Sequence, residues 1–95
     1  MRFKFKVGDT EEHLVQFHRD PWFGQVTIET DDQTLFSGGA MFTLKRYWEY
    51  KFILGETEMH KVKIQHSAPV VGAGFSKHTY RVFIDGELKQ EHHGF

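Results

Sequence analysis

The sequence predicts an all-β domain, an antiparallel β-sandwich of about eight or nine short strands built from two similar β units. Three observations support this prediction. Apolar and polar residues alternate with the period of two that half-buried strands show, turn-forming residues separate the alternating runs, and one stretch of the chain occurs twice. No run has the period of an amphipathic helix. Because each run is apolar on one side only, each sheet is expected to have one buried face and one wet face.

The repeated stretch is the strongest organising feature of the chain. Residues 4–17 read KFKVGDTEEHLVQF and residues 51–64 read KFILGETEMHKVKI; at an offset of 47 (51 − 4), seven of the fourteen pairs are identical. Such self-similarity indicates a supersecondary unit that is used twice. We therefore predict one domain over residues 1–95, with the first repeat at about residues 2–37 and the second at about residues 47–91.

The first repeat is divided by its turn-forming residues. Residues 8–10 (GDT) and 31–32 (DD) have turn chemistry, and residues 19–24 (RDPWFG) contain a proline and a glycine that break a strand. Between them the alternation returns each time with its apolar residues on one face. The first repeat is therefore predicted to contain strands at residues 2–7, 12–18, 25–30 and 33–37.

The second repeat is divided in the same way. Residues 55–57 (GET) copy the first turn, and residues 85–86 (DG) are a type I′ hairpin signal. Residues 26–28 (VTI) align with residues 82–84 (VFI) at an offset of 56, which gives the loop of the second copy 56 − 47 = 9 extra residues. Residues 92–95 form a tail that is expected to fray. The predicted strands of this repeat lie at residues 47–54, 59–66, 78–84 and 87–91, and a further strand is predicted between the repeats at residues 40–45.

Composition and charge exclude several classes of function. The chain has 95 residues, among them 10 Phe, 3 Tyr and 2 Trp, so a dense aromatic core is expected. Its formal net charge of −1 (12 − 13) offers no electrostatic footprint for nucleic acid or an anionic membrane, and no apolar run approaches the ~18 residues of a membrane span. The absence of cysteine rules out disulfides and thiolate chemistry and fits a cytoplasmic protein, which is the location we predict.

A series of apolar and turn segments follows along the chain: His13-x-Val15-x-Phe17, Met41-Phe42-x-Leu44, Phe52-x-Leu54-Gly55, Gly74-Phe75, Tyr80 and Ile84-Asp85-Gly86. This series resembles the Fas apoptosis inhibitory molecule family over residues 11–90. The resemblance implies an all-β sandwich with a duplicated strand pattern, no enzymatic activity, and a role in protein interaction or in preventing aggregation. It supplies no catalytic residues to carry over.

His13 and His60 occupy equivalent positions in the two repeats. One hypothesis is a symmetric pair that binds a metal ion or acts as a proton switch. The other is that each histidine caps the start of a strand and hydrogen-bonds a turn group such as Thr10 or Thr57. Two histidines fall short of the three or four protein ligands of a zinc site, which favours the structural interpretation, and we predict no cofactor.

Two loops carry large apolar residues where a surface is expected. They are Trp22 and Phe23 in the first loop, and Val70, Val71 and Phe75 in the second. Exposed, these residues would form a patch that binds a partner or a small apolar ligand. Folded back, they would close the open end of the sandwich, which a small domain needs.

The function predicted from these patterns is that of a non-enzymatic protein-interaction module. The alternative is a small-ligand or metal-binding β domain that uses His13 and His60. An enzyme ranks third, because no activated nucleophile, cofactor motif or complete set of metal ligands is present in the sequence. The expected partner is another protein. Lys4 and Lys6 on the first strand can guard a sheet edge, and a monomer and an edge-paired homodimer both remain open.

Overall fold

The computed structural model describes residues 1–20, 24–31, 33–39, 47–68 and 77–94. These ranges contain eight strands: β1 (Arg2–Val7), β2 (His13–Arg19), β3 (Gln25–Thr30), β4 (Gln33–Gly39), β5 (Tyr47–Leu54), β6 (His60–Ser67), β7 (His78–Ile84) and β8 (Glu87–Gly94). The strand expected at residues 40–45 lies outside the described residues. The described segments include no helix long and apolar enough to cross a membrane.

The strands form two antiparallel sheets that follow the chain in order. Sheet I has the order β1-β2-β3-β4 and sheet II the order β5-β6-β7-β8. The two sheets pack together through one hydrophobic core, which confirms the prediction of an all-β sandwich. Because each half of the chain completes its own sheet, the halves can be compared strand by strand.

The core forms where the inward faces of the alternating strands meet. In β1 the odd-numbered residues Phe3, Phe5 and Val7 are buried while the even-numbered ones are exposed. Phe17 of sheet I and Tyr80 of sheet II are both fully buried, and their ring centroids lie 5.3 Å apart in an edge-to-face arrangement. Phe3 stacks on Phe17 at 4.8 Å. Aromatic pairs of this kind add about 0.5–1.5 kcal/mol each beyond the area that they bury.

The first hairpins of the two sheets have the same register. Val7 of β1 lies opposite His13 of β2, and Leu54 of β5 lies opposite His60 of β6. Both members of the second pair are 47 residues after their counterparts in the first (54 − 7 and 60 − 13). The offset of the sequence repeat is therefore also the offset of the structure over these two strands.

The third strands correspond at an offset of 54, so the expected offset of 56 is wrong by two residues. Phe17 pairs with Ile28 in sheet I, and its counterpart Ile64 pairs with Val82 in sheet II (82 − 28 = 54). The second loop is thus longer by 54 − 47 = 7 residues rather than 9. A two-residue slip keeps every side chain on the same face of a strand, so alternation alone could not distinguish the two alignments.

Both sheets also have an irregularity at the equivalent place. The register between β3 and β4 shifts at Ile28/Glu29, and that between β7 and β8 shifts at Val82/Phe83, again 54 residues later. A register shift of this kind is typical of a β-bulge, which bends a strand locally and strengthens its twist. The end of the chain corrects another expectation. The tail does not fray at residue 92, because β8 continues to Gly94, which lies opposite His78.

Candidate functional site

The two turns that carry the repeated Gly-Asp/Glu-Thr sequence lie against each other. Gly8 and Gly55 open these turns with φ angles of 99° and 107°. A side chain at either position would overlap a backbone carbonyl oxygen, that of Glu11 at Gly8 and that of Glu58 at Gly55. Both positions therefore require glycine, for the backbone conformation and for the space.

Glu58 of the second turn binds the first turn. Its carboxylate accepts hydrogen bonds from the backbone N–H groups of Asp9 (2.6 Å) and Thr10 (3.2 Å) and from the Thr10 hydroxyl (3.0 Å). One carboxylate thus satisfies two backbone donors and one hydroxyl of a turn 48 residues away. Charge-assisted hydrogen bonds of this kind are about twice as strong as neutral ones.

Glu11 of the first turn binds the second turn in the same way. Its carboxylate accepts hydrogen bonds from the backbone N–H groups of Glu56 (2.8 Å) and Thr57 (2.9 Å) and from the Thr57 hydroxyl (2.8 Å). Every donor has its counterpart 47 residues along the chain. Each glutamate therefore binds the turn of the other sheet. We call this arrangement the carboxylate clasp: Glu11, Glu58, their turn donors, and the histidines and aspartates that hold them.

His13 lies between two carboxylates of its own sheet. Its Nε2 is 2.7 Å from Glu11 Oε2, and its Nδ1 is 2.5 Å from Asp31 Oδ2. Because ionised carboxylates only accept hydrogen bonds, both ring nitrogens must carry a proton, and the ring is an imidazolium. The hydrogen bonds to Glu11 and then to Asp31 accordingly raise the pKa of His13, and that to His13 is the largest cause of the lowered pKa of Glu11.

His60 repeats this geometry in sheet II. Its Nε2 is 2.9 Å from Glu58 Oε2, its Nδ1 is 2.6 Å from Asp85 Oδ2, and these contacts raise its pKa, that to Asp85 most. The hydrogen bond from His60 is also the largest cause that lowers the pKa of Glu58 to about 2. Asp85 further accepts a hydrogen bond from the Lys61 N–H at 2.9 Å. Asp31 and Asp85 stand at equivalent turn positions with φ angles of 47° and 53°.

The His–Glu pairs of the clasp are better shielded from water than an ordinary surface ion pair, whereas its two aspartates are 59% and 51% exposed. The His13 and Glu11 side chains are 20% and 23% exposed, whereas Lys6 and Glu12, 3.8 Å apart, are 74% and 55% exposed. Exposed pairs are screened by water and salt and contribute little to stability, so Lys6–Glu12 matters little. We therefore assign the clasp a structural role, in which it joins the two sheets at one end of the sandwich.

The geometry supports a modified structural interpretation of His13 and His60. Neither ring bonds Thr10 or Thr57 as expected; each bonds a glutamate and an aspartate, and the threonines bond the glutamate of the opposite turn. A metal ion needs a deprotonated ring nitrogen, and both nitrogens of each ring already contact carboxylates. Across the described segments, no group of three or more His, Cys, Asp or Glu residues could hold a metal ion.

Sequence reasoning missed the role of Glu11, Glu58, Asp31 and Asp85. The signal was present, because Thr-Glu-x-His occurs in both repeats and each third strand is followed by an aspartate. The bonds between the sheets connect residues 45–49 positions apart, which no local pattern indicates. The predicted loop residues are a different case, because Trp22, Phe23, Val70, Val71 and Phe75 lie outside the described residues.

A second polar cluster is buried inside sheet II. His66 and His78 are 2% and 3% exposed, and His66 Nε2 lies 2.7 Å from His78 Nδ1. The ring of His66 is stacked between Trp48 (4.6 Å) and Tyr80 (4.5 Å). Burial, and to a smaller extent the nearby His78 and Arg19, lower the pKa of His66 to about 3. His66 is therefore a neutral core histidine at neutral pH.

The outer face of sheet II carries an apolar and cationic surface. Cross-strand pairing places Lys51, Lys63, Phe83 and Leu88 in one row across all four strands, with Ile53 and Lys61 paired beside it. We call these six residues the Lys–apolar face. Ile53 is 58% and Leu88 46% exposed, and the residues of the face other than Leu88 line a concavity of about 550 Å³. Lys63 Nζ lies 4.8 Å from the centre of the Phe83 ring, a cation–π contact.

The same positions of sheet I have a different character. The pairing of its strands gives an equivalent row, in which Glu29 stands at the place of Phe83 and Thr34 at the place of Leu88. The complete correspondence, sheet II first, is Lys51/Lys4, Lys63/Gln16, Phe83/Glu29, Leu88/Thr34, Ile53/Lys6 and Lys61/Leu14. Sheet I thus shows that the fold does not need apolar residues across this row.

No protein-family model, curated protein or solved structure matches the chain. The resemblance to the Fas apoptosis inhibitory molecule family therefore stays a prediction.

Proposed function

We propose that this chain is a non-enzymatic protein-interaction domain that binds its partner through the Lys–apolar face of sheet II. The observation that carries the proposal is the contrast between two structurally equivalent rows. The row of sheet I is polar, whereas that of sheet II contains Phe83 and Leu88, with Ile53 beside it. Contiguous exposed apolar residues with a polar border are typical of interaction surfaces.

Stability does not account for Ile53 and Leu88, whereas the half-buried Phe83 also contacts Lys63 within the protein. Ile53 and Leu88 keep about half of their surface in water, so they lose much of the roughly 25 cal/mol per Å² that burial would contribute. Covering them with a partner would recover that free energy. The clasp supports the non-enzymatic part of the proposal. Its charged groups bond to one another, so no ring nitrogen of His13 or His60 is free for acid–base catalysis.

A second copy of the chain is a poor occupant of this face. In a symmetric face-to-face dimer the same patch is brought against itself, so the three lysines of each copy (Lys51, Lys61 and Lys63) would be gathered in one interface. Like charges brought together at an interface disfavour association. We therefore assign the face to a different protein, and we place the complex in the cytoplasm on the basis of the cysteine-free sequence.

The test is an affinity capture from the native host with matched variants. Phe83→Glu/Leu88→Thr gives the face of sheet II the two residues that sheet I carries at these places. Glu29→Gln/Thr34→Ser changes the equivalent positions of sheet I conservatively and is the control. We expect at least one protein to bind the wild type and the control and to be lost with Phe83→Glu/Leu88→Thr, while all three chains stay folded. Equal capture by all three would overturn the proposal.

A further inference from the structure

We propose that the partner presents a short acidic and apolar segment to the Lys–apolar face. This inference rests on the proposed function and specifies the chemistry of the partner. Its basis is the arrangement of the three lysines around the apolar residues, together with the pattern of charges in the adjoining row.

The arrangement of the lysines destabilises the free protein. Lys51 and Lys63 lie directly opposite each other on β5 and β6, and like charges in that position destabilise a sheet. Sheet I avoids the repulsion, because Lys4 lies opposite Gln16. Partner carboxylates above the pair would remove the repulsion, so the charge arrangement favours an acidic occupant.

The lysine charges are only partly neutralised within the protein. Lys51 lies 3.7 Å from Glu49, but the described part of the chain forms no ion pair with Lys61 or Lys63. The Lys63 ammonium instead lies over Phe83, where a carboxylate can approach it while an apolar side chain contacts the ring. One partner segment can therefore make both kinds of contact at once.

The adjoining row limits the acidic contact to a narrow strip. The next row across the sheet consists of Glu49, Gln65, Arg81 and Glu91. A bilayer with anionic headgroups would meet these carboxylates as well as the lysines, and so would the regular phosphates of a nucleic acid. A protein can confine its acidic residues to the lysine row, which is why we favour a protein segment over either polyanion.

The size of the strip indicates a short segment. Four strands about 4.8 Å apart give a row about 14 Å long, which an extended chain crosses in about five residues. Carboxylates near Lys51 and Lys63 and an apolar side chain near Phe83 and Leu88 fit within that length. The expected motif therefore combines acidic and apolar residues over one short stretch.

The experiment selects peptides from a displayed library of random twelve-residue sequences with no charge bias. The wild type and the folded Phe83→Glu/Leu88→Thr variant are used as baits, and peptides that bind only the wild type are sequenced. We expect these peptides to combine Asp or Glu with large apolar residues. A chosen peptide should bind Lys63→Gln at least threefold more weakly, bind Gln16→Asn like the wild type, and weaken as salt rises. Face-specific peptides that are basic or uncharged, or no face-specific peptides at all, would overturn the inference.

Two further measurements separate the competing occupants. Vesicles containing phosphatidylserine that bind the wild type but not the face variant would assign the face to a membrane, and sedimentation that shows a dimer lost in the face variant would assign it to a second copy. Either result contradicts the acidic segment. If the host partner is lost with the face variant but the selected peptides lack acidic residues, the proposed function stands and only this inference fails.

Discussion

Sheets I and II are built alike on the inside and at one end, and differ on the outside. Their strand orders, hairpin registers and bulges correspond at fixed offsets, and the clasp joins their turns by exchanged glutamates. On the outer faces, sheet II has Phe83 and Leu88 at the positions where sheet I has Glu29 and Thr34. The shared features join and stabilise the two sheets, and we propose that the difference marks the surface that binds a partner.

The end of the sandwich away from the clasp shows a second difference. The position of the buried His66 in sheet II corresponds to Arg19 in sheet I (66 − 47 = 19). The Arg19 guanidinium is close enough to contribute to the lowered pKa of His66. Equivalent positions near the core therefore hold a permanent cation in one half and a neutral imidazole in the other.

The largest expected effect comes from the shared core. Phe17→Ala should destabilise the protein by about 3–5 kcal/mol, and the equivalent Ile64→Ala by about 2–5 kcal/mol, because both side chains are fully buried. Either loss is a large part of the stability of a small domain. Urea unfolding followed by circular dichroism measures it. A cost below about 1 kcal/mol at either position would contradict a core shared equally by both sheets.

Substitution of the glycines in the clasp turns should cause the next largest loss of stability. Gly8→Ala and Gly55→Ala should each cost more than the roughly 1 kcal/mol of an unfavourable φ angle, because the added carbon also overlaps a carbonyl oxygen. Gly86→Ala is the matched control, with a φ angle of 82° and open space around the position. Thermal unfolding of the three variants should rank Gly86→Ala as the mildest. Equal losses at all three would contradict the overlap with the carbonyl oxygens of Glu11 and Glu58.

Removing the charge of one clasp glutamate should lower Tm by several degrees. Glu58→Gln keeps the shape of the side chain but loses the charge-assisted bonds to the first turn and to His60, and Glu11→Gln should behave alike. Glu12→Gln, on the exposed neighbour, is the control and should change Tm little. A Tm loss for Glu12→Gln as large as that for Glu58→Gln would contradict the clasp.

The pH dependence of the clasp follows from the direction of each shift. His13 and His60 have raised pKa values, so their contribution is complete below pH 6.5 and is lost as the pH rises through their folded pKa. Glu11, Glu58 and Asp85 have lowered pKa values, so their contribution is complete above about pH 4.5 and is lost as the pH falls, for Glu58 towards about 2. Between pH 4.5 and 6.5 the clasp should therefore add no slope to the stability.

The slope in that window should come from His66. Its pKa is about 3 when folded and 6.5 when unfolded, so the unfolded chain takes up the proton first and stability falls as the pH drops. One proton corresponds to at most about 1.4 kcal/mol per pH unit. Urea unfolding at several pH values should show that His66→Phe flattens this slope. An unchanged slope in His66→Phe would refute the assignment.

Much of the fold could be predicted because it is local. The alternation at residues 2–7 predicted the strand and its buried face, and the turn glycines predicted the hairpins. The offset of the third strands could not be predicted, because alternation cannot detect a slip of two residues. The clasp was missed because Glu11 and Glu58 bind turns of the opposite sheet. The outer face of sheet II was not singled out, because its exposed Ile53 is out of phase with the alternation that predicts the buried face of β5.

The outer-face substitution should have the smallest effect on stability and the largest on binding. Measured on the same preparation, Phe83→Glu/Leu88→Thr should destabilise the protein by only about 1 kcal/mol, because Leu88 is exposed and Phe83 is half-buried outside the core, and should lose the partner. That combination would show that the apolar row of sheet II serves binding and not the fold. A variant that unfolds several kcal/mol more easily, or one that keeps its partner at wild-type affinity, would contradict this division between the two sheets.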